Sequence, residues 1–317
     1  MKIVIPGGSG QVGQLLTRAF QGEGHEVVIL SRRIEPDVAG RTVVWDGRSL
    51  GQWTKELEAA DVVINLAGKS VNCRYTAANR REITQSRVDS TNAIGHAIAE
   101  ARRPPRLWLQ AATATIYAHR YDAAHDEVFG VLGGNEKGVP ETWRFSIEVA
   151  KAWENAFNQA PRTPSTRKVL MRSALVLSPD PGGIFDVLLG LVRRGLGGRA
   201  GDGRQYVSWI HGADFIRAIY WFIARQKLEG AINLASPNPL PNAEFMRLLR
   251  EAWGTKVGLP ASKWMLEIAT FFMRTETELV LKSRRVIPGR LLHDGFKFEF
   301  PDWKDAAHDL CRRWRLM

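Results

Sequence analysis

The chain has 317 residues, of which 44% are hydrophobic, and its 44 Lys and Arg against 33 Asp and Glu give a formal net charge of +11. This length and apolar content suffice for a large core in one α/β domain or two smaller ones. There are only two cysteines, Cys73 and Cys311, and they lie far apart, which fits neither a disulfide framework nor a clustered metal site. The most apolar window, residues 264–273, contains Glu267 and falls short of the roughly 20 residues of a membrane span. A transmembrane helix is therefore excluded.

The basic charge is spread as short pairs, such as Arg80-Arg81 and Arg102-Arg103, rather than gathered in a run or stripe. No nucleic-acid-binding signature accompanies these pairs, so specific nucleic-acid binding is not expected. We attribute the excess to solubility and to attraction for an anionic cofactor and an anionic substrate. An apolar strand begins at residue 2, which leaves no room for a signal peptide and predicts a cytoplasmic location.

The first motif is a glycine turn between an apolar run and an amphipathic stretch. Gly7, Gly10 and Gly13 have the spacing G-x-x-G-x-x-G. In a dinucleotide-binding unit such glycines allow a tight turn, close approach to a pyrophosphate and tight helix packing. The backbone at Gln11 and Val12 would face the phosphates at the positive end of the helix. A glycine-rich turn without a ligand is the alternative, but its place between the first strand and the first helix favours a cofactor.

The end of the second predicted strand, residues 26–30, indicates which dinucleotide binds. An NAD enzyme places an acidic residue there for the ribose 2′-hydroxyl, whereas this chain has Ser31, Arg32 and Arg33 and no carboxylate before Glu35. Two guanidinium groups can hold a 2′-phosphate, so the sequence favours NADP(H) over NAD. The alternative is that both arginines are solvated surface residues, since Arg-Arg pairs recur along the chain.

Strand-like runs alternate with helical segments over most of the chain, which predicts an α/β fold with a doubly wound parallel (Rossmann) sheet. The later predicted strands cover residues 41–45, 61–66, 107–111, 167–175 and 231–234. The clearest helices cover residues 80–100, 143–157 and 213–224. In the second of these helices one face is apolar, and it consists of Phe145, Val149, Trp153 and Phe157. That face should pack on the sheet.

The chain changes character after residue 177. A Pro- and Gly-rich turn leads into a predicted helix at 184–194, and the glycine-rich stretch at 195–203 has the composition of a mobile loop beside a site. Asn242 is the predicted N-cap of a further helix. We therefore predict an NADP-binding Rossmann domain and a smaller substrate-closing C-terminal domain. These domains comprise residues 1–178 with 209–236, and residues 179–208 with 237–317.

Two further motifs follow predicted strands, Asn65-Leu66-Ala67-Gly68 after the fourth and Thr113-Ala114-Thr115-Ile116-Tyr117 after the fifth. With the glycine turn they make the chain resemble the extended short-chain dehydrogenase/reductase superfamily over nearly its whole length. More narrowly, it resembles the epimerase family proteins, the SulA-like or YfcH-like nucleoside-diphosphate-sugar epimerase homologues. The segments that carry this narrower resemblance are Val44-Trp45-Asp46, Ser86-Arg87-Val88, Trp153-Glu154, Ser208-Trp209-Ile210-His211 with Asp214, and residues 286–291 with Gly295-Phe296. The resemblance implies an N-terminal Rossmann domain, NADP as ligand, and a small C-terminal domain that closes over a substrate cleft.

The superfamily's chemistry normally depends on a Tyr four residues before a Lys on one helix face, and this chain lacks the pair. None of its five tyrosines is followed four residues later by a Lys. Counting back from Glu154, the expected positions hold Ser146 and Ala150. Lys151 is displaced by one residue, about 100° around the helix, and cannot simply substitute.

The resemblance assigns the remaining cofactor contacts. It places Asp46 at the adenine edge and Leu66, Ala67 and Gly68 at the ribose. Thr113 would face the nicotinamide, where its hydroxyl would orient the substrate. The alternative for Thr113 is a hydroxyl that satisfies backbone groups at the end of a strand.

Five residues are candidates for substrate contacts or for the missing acid or base. Arg87 stands where an Asn is usual, and it would bind an anionic substrate group or pair with a carboxylate. Tyr117, His119 and Asp122 follow the fifth strand, at the edge where ligands bind, although loop packing is the alternative for each. His211 would line the substrate pocket or cap a helix.

Asp214, just after His211, is expected to be a helix-start carboxylate. The leading hypothesis is an NADP(H)-binding oxidoreductase or sugar-nucleotide epimerase-like enzyme whose acid or base is not the usual Tyr. Its substrate would be small and anionic or sugar-like. The alternative is a sensor or scaffold that binds NADP without turning it over. The sequence leaves monomer and homodimer equally open.

Overall fold

The computed structural model describes residues 1–34, 38–261 and 281–317. The apolar window at 264–273, like Glu35, therefore lies outside the described residues. Within the described ranges, no helix combines the length and the apolar character needed to cross a membrane.

Eleven strands are found in the described residues, numbered here in chain order. They are β1 (Lys2–Pro6), β2 (Glu26–Ser31), β3 (Arg41–Val44), β4 (Val62–Asn65), β5 (Leu107–Thr113), β6 (Arg167–Ser173), β7 (Leu175–Leu177), β8 (Tyr206–Val207), β9 (Trp209–His211), β10 (Gly230–Leu234) and β11 (Leu240–Pro241). Seven of them form one sheet in the order β10-β6-β5-β4-β1-β2-β3, and all neighbours are parallel. This confirms the predicted doubly wound sheet. Strand order reverses between β1 and β4, and such switch points are where open α/β sheets bind ligands.

The described residues contain eight α-helices, and those that pack on the main sheet cover both of its faces. The eight helices are α1 (Gln11–Gly22), α2 (Ala77–Glu100), α3 (Glu141–Gln159), α4 (Ile184–Arg193), α5 (Gly212–Ala224), α6 (Asn242–Trp253), α7 (Gly289–His293) and α8 (Trp303–Arg315). On one face, Ile3 and Ile5 of β1 lie in a core cluster with Phe20 of α1 and Phe222 of α5. Val4 belongs to the cluster on the other face, with side chains of α2 and α3. The alternation of side chains along β1 thus divides the core into two layers.

The predicted strand at residues 167–175 is wrong in one respect. β6 ends at Ser173, and the N–H of Ala174 donates to the carbonyl of Leu234 at 2.9 Å. β7 then pairs with β9 in a separate two-stranded parallel sheet. The apolar pattern continues across the break, so the sequence contains no sign of it. As a result, the chain leaves the main sheet at its carboxyl edge.

A third apolar cluster lies among α4, α6 and α8. Its centre includes Phe245 and Trp303, whose rings stack with centroids 4.0 Å apart. This cluster is where the sequence predicts a smaller unit, although the predicted domain boundaries stay a prediction. The predicted N-cap, Asn242, is instead the first residue of α6, and its Oδ1 accepts a hydrogen bond from the N–H of Ala200 at 2.8 Å.

Candidate dinucleotide site and substrate cleft

The glycine turn packs tightly against two neighbouring backbone segments. Gly7 has φ of +76°, and a Cβ there would lie 2.7 Å from the Cα of Ala67. A Cβ on Gly13 would overlap the carbonyl oxygen of Gly8. Beside Gly10, the nearest atom to a Cβ is the Gly7 carbonyl oxygen at 3.5 Å. Gly7 and Gly13 therefore serve packing, and Gly10 leaves an opening that a pyrophosphate can approach.

The first turn of α1 begins at this opening. Its N-cap, Gly10, has no side chain to accept a hydrogen bond, and no acidic residue lies in the turn. Every other described helix of eight or more residues has a capping side chain or an acidic residue in its first turn. The backbone around Gln11 and Val12 therefore lies at the uncompensated positive end of the α1 dipole, which favours an anion.

The side chains of α1 also contact the turn that follows β7. The amide nitrogen of Gln11 lies 3.3 Å from the hydroxyl of Ser178, and a Cβ on Gly183 would overlap that nitrogen. Arg18 forms an ion pair of 2.7 Å with Asp180. Two residues of α1 therefore hold the Pro- and Gly-rich turn beside the glycine turn.

The carboxyl end of β2 offers hydroxyl and guanidinium groups. The Ser31 hydroxyl lies 3.3 Å from the hydroxyl of Ser9 in the glycine turn. Arg32 and Arg33 follow Ser31 and are both exposed. Their positions beside the glycine turn suit contacts to a phosphate on the adenosine ribose.

Asp46 lies just beyond the end of the adjacent strand, β3. The N–H of Trp45 donates to the Ser31 carbonyl at 3.0 Å, which ties this segment to the end of β2. The Oδ1 of Asp46 accepts hydrogen bonds from the N–H groups of Arg48 and Ser49, both at 2.9 Å. These bonds lower the pKa of the Asp46 carboxyl. The carboxylate is thus held in place by its own loop just beyond β3, and its contact with an adenine stays a prediction.

The loop after β4 lies directly against the glycine turn. The N–H of Leu66 donates to the carbonyl of Pro6 at 2.8 Å. Ala67 is the residue against which Gly7 packs, as described above. The structure therefore brings the predicted ribose segment and the predicted phosphate turn together.

Arg87 lies beneath this loop and has no carboxylate partner among the residues that the structure describes. A Cβ on Gly68 would lie 3.2 Å from its guanidinium carbon. Its Nη1 donates to the carbonyls of Lys69 and Ile83, both at 3.0 Å, and the guanidinium lies 5.0 Å from the ring centre of Trp153. Burial lowers the pKa of Arg87 to about 10. A desolvated cation without a counter-ion is unfavourable, so this position suits an anionic group.

Thr113 is the last residue of β5, two residues beyond the predicted end of that strand. It lies opposite Ser173 of β6, at the carboxyl edge of the sheet. Its Oγ1 accepts a hydrogen bond from the N–H of Thr115 at 3.1 Å. Thr113 therefore does satisfy a backbone N–H group, as the alternative for this residue predicts. Its hydroxyl hydrogen is still available to donate to a ligand.

Tyr117 belongs to the core rather than to the cleft. The residue is 2% exposed, and its hydroxyl donates to Asn233 and accepts from Arg172, both at 2.9 Å. Arg172 also forms a bidentate ion pair with Glu154, with both hydrogen bonds at 2.8 Å. Burial raises the pKa of Tyr117. These contacts speak against the expected role of Tyr117 as an acid or base, because its hydroxyl is committed on both sides.

At the position expected for the Lys of the missing pair, helix α3 offers no ammonium group. Ala150 is 2% exposed, and the Nζ of Lys151 donates to the carbonyl of Gly133 at 2.7 Å. Lys151 therefore fastens a loop. The four members of the predicted apolar face are buried, namely Phe145, Val149, Trp153 and Phe157. The prediction that this face packs on the sheet is wrong for its first half, because Phe145 and Val149 lie in a separate cluster with Tyr75 and Ile83.

The other two candidates after β5 differ in their surroundings. Asp122 forms a surface ion pair with Arg120 at 2.6 Å, which lowers the pKa of its carboxyl. His119 is partly exposed, and its ring contacts those of Tyr121 and Trp143, with centroids 5.0 Å and 4.8 Å away. Burial lowers the pKa of His119. Of these two side chains, His119 is the one whose position is fixed by ring contacts.

Residues 282–286, here called the crossing strap, pass over the segment that follows β5, and no pattern in the sequence predicts this contact. Lys282 is 1% exposed, and its Nζ donates to the Thr115 carbonyl at 2.6 Å. The Nε of Arg284 donates to the Thr115 hydroxyl at 3.2 Å. The basic run before Val286 was the available signal, but no local pattern relates it to Thr115.

The start of α5 is sealed by side chains. The Nδ1 of His211 accepts a hydrogen bond from the N–H of Ala213 at 3.1 Å, and its Nε2 lies 3.2 Å from Asp309. Burial lowers the pKa of His211 to about 4. Asp214 is completely buried and accepts the two N–H groups of residues 299–300, both at 2.8 Å. His211 therefore caps a helix, and its burial speaks against the expected substrate contact.

The parallel sheet, the glycine turn at its switch point and the open start of α1 define a Rossmann-fold protein with a dinucleotide-type site. The sequence profile of the NAD dependent epimerase/dehydratase family matches residues 3–235, and that of a domain of unknown function, DUF1731, matches residues 261–310. The epimerase family protein SDR39U1 of Bos taurus is 31% identical over 316 residues, 98% of this chain and 99% of that protein. This chain belongs to the NAD dependent epimerase/dehydratase family.

Solved structures show the same similarity. The human epimerase family protein SDR39U1, isoform 2, crystallised with NADPH, superposes with a TM-score of 0.85 at 28% identity, covering 98% of this chain and 99% of that one. MoeE5 in complex with UDP-glucose and NAD gives a TM-score of 0.73 at 18% identity over the full length of both chains, which shows a shared fold alone.

Proposed function

We propose that this protein binds NADP(H) and acts on a small anionic or sugar-like substrate as an oxidoreductase or a sugar-nucleotide epimerase-like enzyme. The observation that carries the cofactor is the opening beside Gly10 at the uncapped, acid-free start of α1. The human relative named above was crystallised with NADPH. When bound, this cofactor supplies hydride transfer at its nicotinamide ring.

The residues around the switch point would divide the cofactor among them. The pyrophosphate would contact the glycine turn (Gly7, Gly10, Gln11, Val12 and Gly13), and the 2′-phosphate would contact the end of β2 (Ser31, Arg32 and Arg33). The adenine would contact Asp46 just after β3, and the ribose would contact the loop after β4 (Leu66, Ala67 and Gly68).

The substrate would bind at the carboxyl edge of β5. The Thr113 hydroxyl would orient a substrate oxygen near the nicotinamide. Arg87 would attract an anionic group, because its guanidinium is desolvated and lacks a carboxylate partner in the described chain. An NADP(H)-dependent reaction at this site would not use the superfamily's Tyr and Lys, whose positions hold Ser146 and Ala150.

A second candidate function is NADP(H) binding without turnover, as a sensor or scaffold. It is favoured by the contacts of α3, where position 150 is a buried Ala and the Lys151 ammonium is bound to a loop carbonyl. For either function we propose the cytoplasm as the compartment, in which the free thiols of Cys73 and Cys311 would stay reduced.

Calorimetric titration with NADPH and NADH tests the cofactor assignment. We expect the wild type to prefer NADPH, and the double variant Arg32→Ala, Arg33→Ala to bind NADPH about tenfold more weakly while NADH affinity stays within about twofold. The matched control is Arg102→Ala, Arg103→Ala, which removes an exposed pair of arginines at the opposite edge of the sheet. An unchanged ratio of NADPH to NADH affinity in the first double variant would contradict the assignment.

Turnover separates the enzyme from the sensor. We expect NADPH oxidation with at least one member of a panel of carbonyl compounds and nucleotide sugars. Thr113→Ala should lower kcat about 100-fold at unchanged NADPH affinity, whereas Thr113→Ser should retain most activity because the hydroxyl remains. NADPH binding without oxidation across the panel would instead support the sensor.

A further inference from the structure

We propose that His119 donates a hydrogen bond from Nε2 to an oxygen of the substrate, and that it thereby holds the reacting group where the superfamily would use its tyrosine. This inference rests on the proposed function, because it assumes a substrate at the carboxyl edge of β5. It differs from the expectation of a catalytic acid or base, since it assigns His119 a fixed donor role.

The crossing strap determines which ring nitrogen carries the proton. The N–H of Ser283 donates to the Nδ1 of His119 at 2.9 Å. A nitrogen that accepts a hydrogen bond carries no hydrogen, so the neutral ring must be protonated at Nε2. No described residue bonds to Nε2, and the side chain is partly exposed. One N–H donor is therefore available to a ligand.

The ring is held from both sides. Trp143 of α3 contacts it with a centroid distance of 4.8 Å, and Tyr121 meets it edge-on at 5.0 Å. The backbone N–H of His119 donates to the carboxylate of Glu136 at 3.1 Å. A donor immobilised in this way loses little conformational freedom when a ligand binds, which favours tight and directional contact.

The surroundings keep the ring neutral. Burial is the largest cause of the lowered pKa of His119, and the positive charges of Lys282 and Arg284 act in the same direction. Glu136 and Asp202 act in the opposite direction and do not reverse the shift. The neutral form therefore predominates at pH 7. A ring protonated at Nε2 cannot take up a proton there, so it polarises an oxygen instead, as neutral imidazole does in other enzymes.

Hydrogen bonds connect this donor to Thr113. The strap that fixes His119 through Ser283 also bonds to the carbonyl of Thr115 through Lys282, and the N–H of Thr115 bonds to the Thr113 hydroxyl. The crossing strap and the segment after β5 therefore form one hydrogen-bonded unit, which contains both His119 and the Thr113 hydroxyl.

The test uses ¹⁵N-labelled full-length protein loaded with NADPH, and the probes are UDP-glucose and UDP-glucuronic acid. Imidazole ¹⁵N spectra at pH 7 should show His119 neutral and protonated at Nε2, and at least one probe should shift that signal. His119→Leu should weaken binding of that probe about tenfold, while His119→Gln, whose amide can donate, should stay within about threefold of wild type. NADPH affinity should be unchanged in both variants.

A ring protonated at Nδ1 or at both nitrogens, no shift of the His119 signal with either probe, or wild-type probe affinity in His119→Leu would each overturn the inference. The wild-type spectra decide the first two outcomes even if the leucine variant does not fold. The control is His96→Leu, on the exposed face of α2, which should bind both ligands normally. Failure of the wild type to bind NADPH, measured on the same samples, would instead identify a failure of the proposed function.

Discussion

The first turns of α1 and α5 are built in opposite ways, although both helices pack on the same face of the sheet. α1 starts at Gly10 with no cap and no acidic residue. α5 starts at His211, which caps it, and its first turn contains the buried Asp214. At the start of any helix the first N–H groups lack partners within the helix, and the dipole is positive. The protein compensates the start of α5 with its own side chains and leaves the start of α1 open to an anion. An open helix start therefore indicates an anion site when the other helix starts are compensated.

The largest effect should come from removing the compensation at α5. Asp214→Ala removes a completely buried carboxylate that accepts two backbone N–H groups and pairs with Arg217, and we expect the free energy of unfolding in urea to fall by about 3 kcal/mol. NADPH affinity of the folded variant should stay within about twofold. As a control, Asp305→Ala removes an exposed acid from the first turn of α8 and should change stability by less than about 1 kcal/mol. A loss of NADPH affinity without a loss of stability in Asp214→Ala would contradict the assignment of a purely structural role to the start of α5.

A smaller effect is expected at the start of α1, where a substitution should weaken NADPH binding and leave stability nearly unchanged. Gly10 has φ of −74°, which alanine tolerates, and its Cβ would meet no atom closer than 3.5 Å. Gly10→Ala should therefore change the free energy of unfolding by less than about 1 kcal/mol, yet weaken NADPH binding about 30-fold because the methyl group fills the opening. Calorimetry and urea unfolding measure the two quantities.

The matched control lies at the other end of the same helix. A Cβ on Gly22 meets nothing within 4 Å, so Gly22→Ala should leave NADPH affinity unchanged. Normal affinity in Gly10→Ala would show that the opening at α1 is not used by the cofactor.

The smallest effect concerns pH. The buried His211 has its pKa lowered to about 4 from 6.5. The unfolded chain therefore takes up this proton first as pH falls, and the free energy of unfolding should drop by about 1 kcal/mol between pH 7.5 and 5.5. His211→Asn keeps a cap but cannot titrate, so its stability should depend less on pH than that of the wild type. Equal pH dependence in the two proteins would show that His211 is not the group responsible.

The cofactor side of the site could be predicted from sequence because its information is local. Gly7, Gly10 and Gly13 stand within seven residues, between a strand and a helix whose periodicities differ. The apolar alternation along the chain was also sufficient for the parallel sheet, which the structure confirms. The assignment of NADP(H) from Arg32 and Arg33 stays a prediction, which the double variant tests.

The substrate side could not be predicted, because distant partners decide where its side chains lie. Tyr117 follows β5 as an active-site residue would, yet Arg172 and Asn233, 55 and 116 residues away, draw its hydroxyl into the core. Lys282 bonds to Thr115 across 167 positions. No periodicity or spacing encodes such contacts.

The ion pair between Glu154 and Arg172 has a consequence for how this protein can change over evolution. It fastens α3 to β6 one turn beyond position 150, through two hydrogen bonds of 2.8 Å. The helix therefore keeps its anchor whatever residues stand at positions 146 and 150. Chemistry at those two positions can be lost, gained or replaced within one scaffold, which makes them a natural pair for a mutational library selected for new reactions.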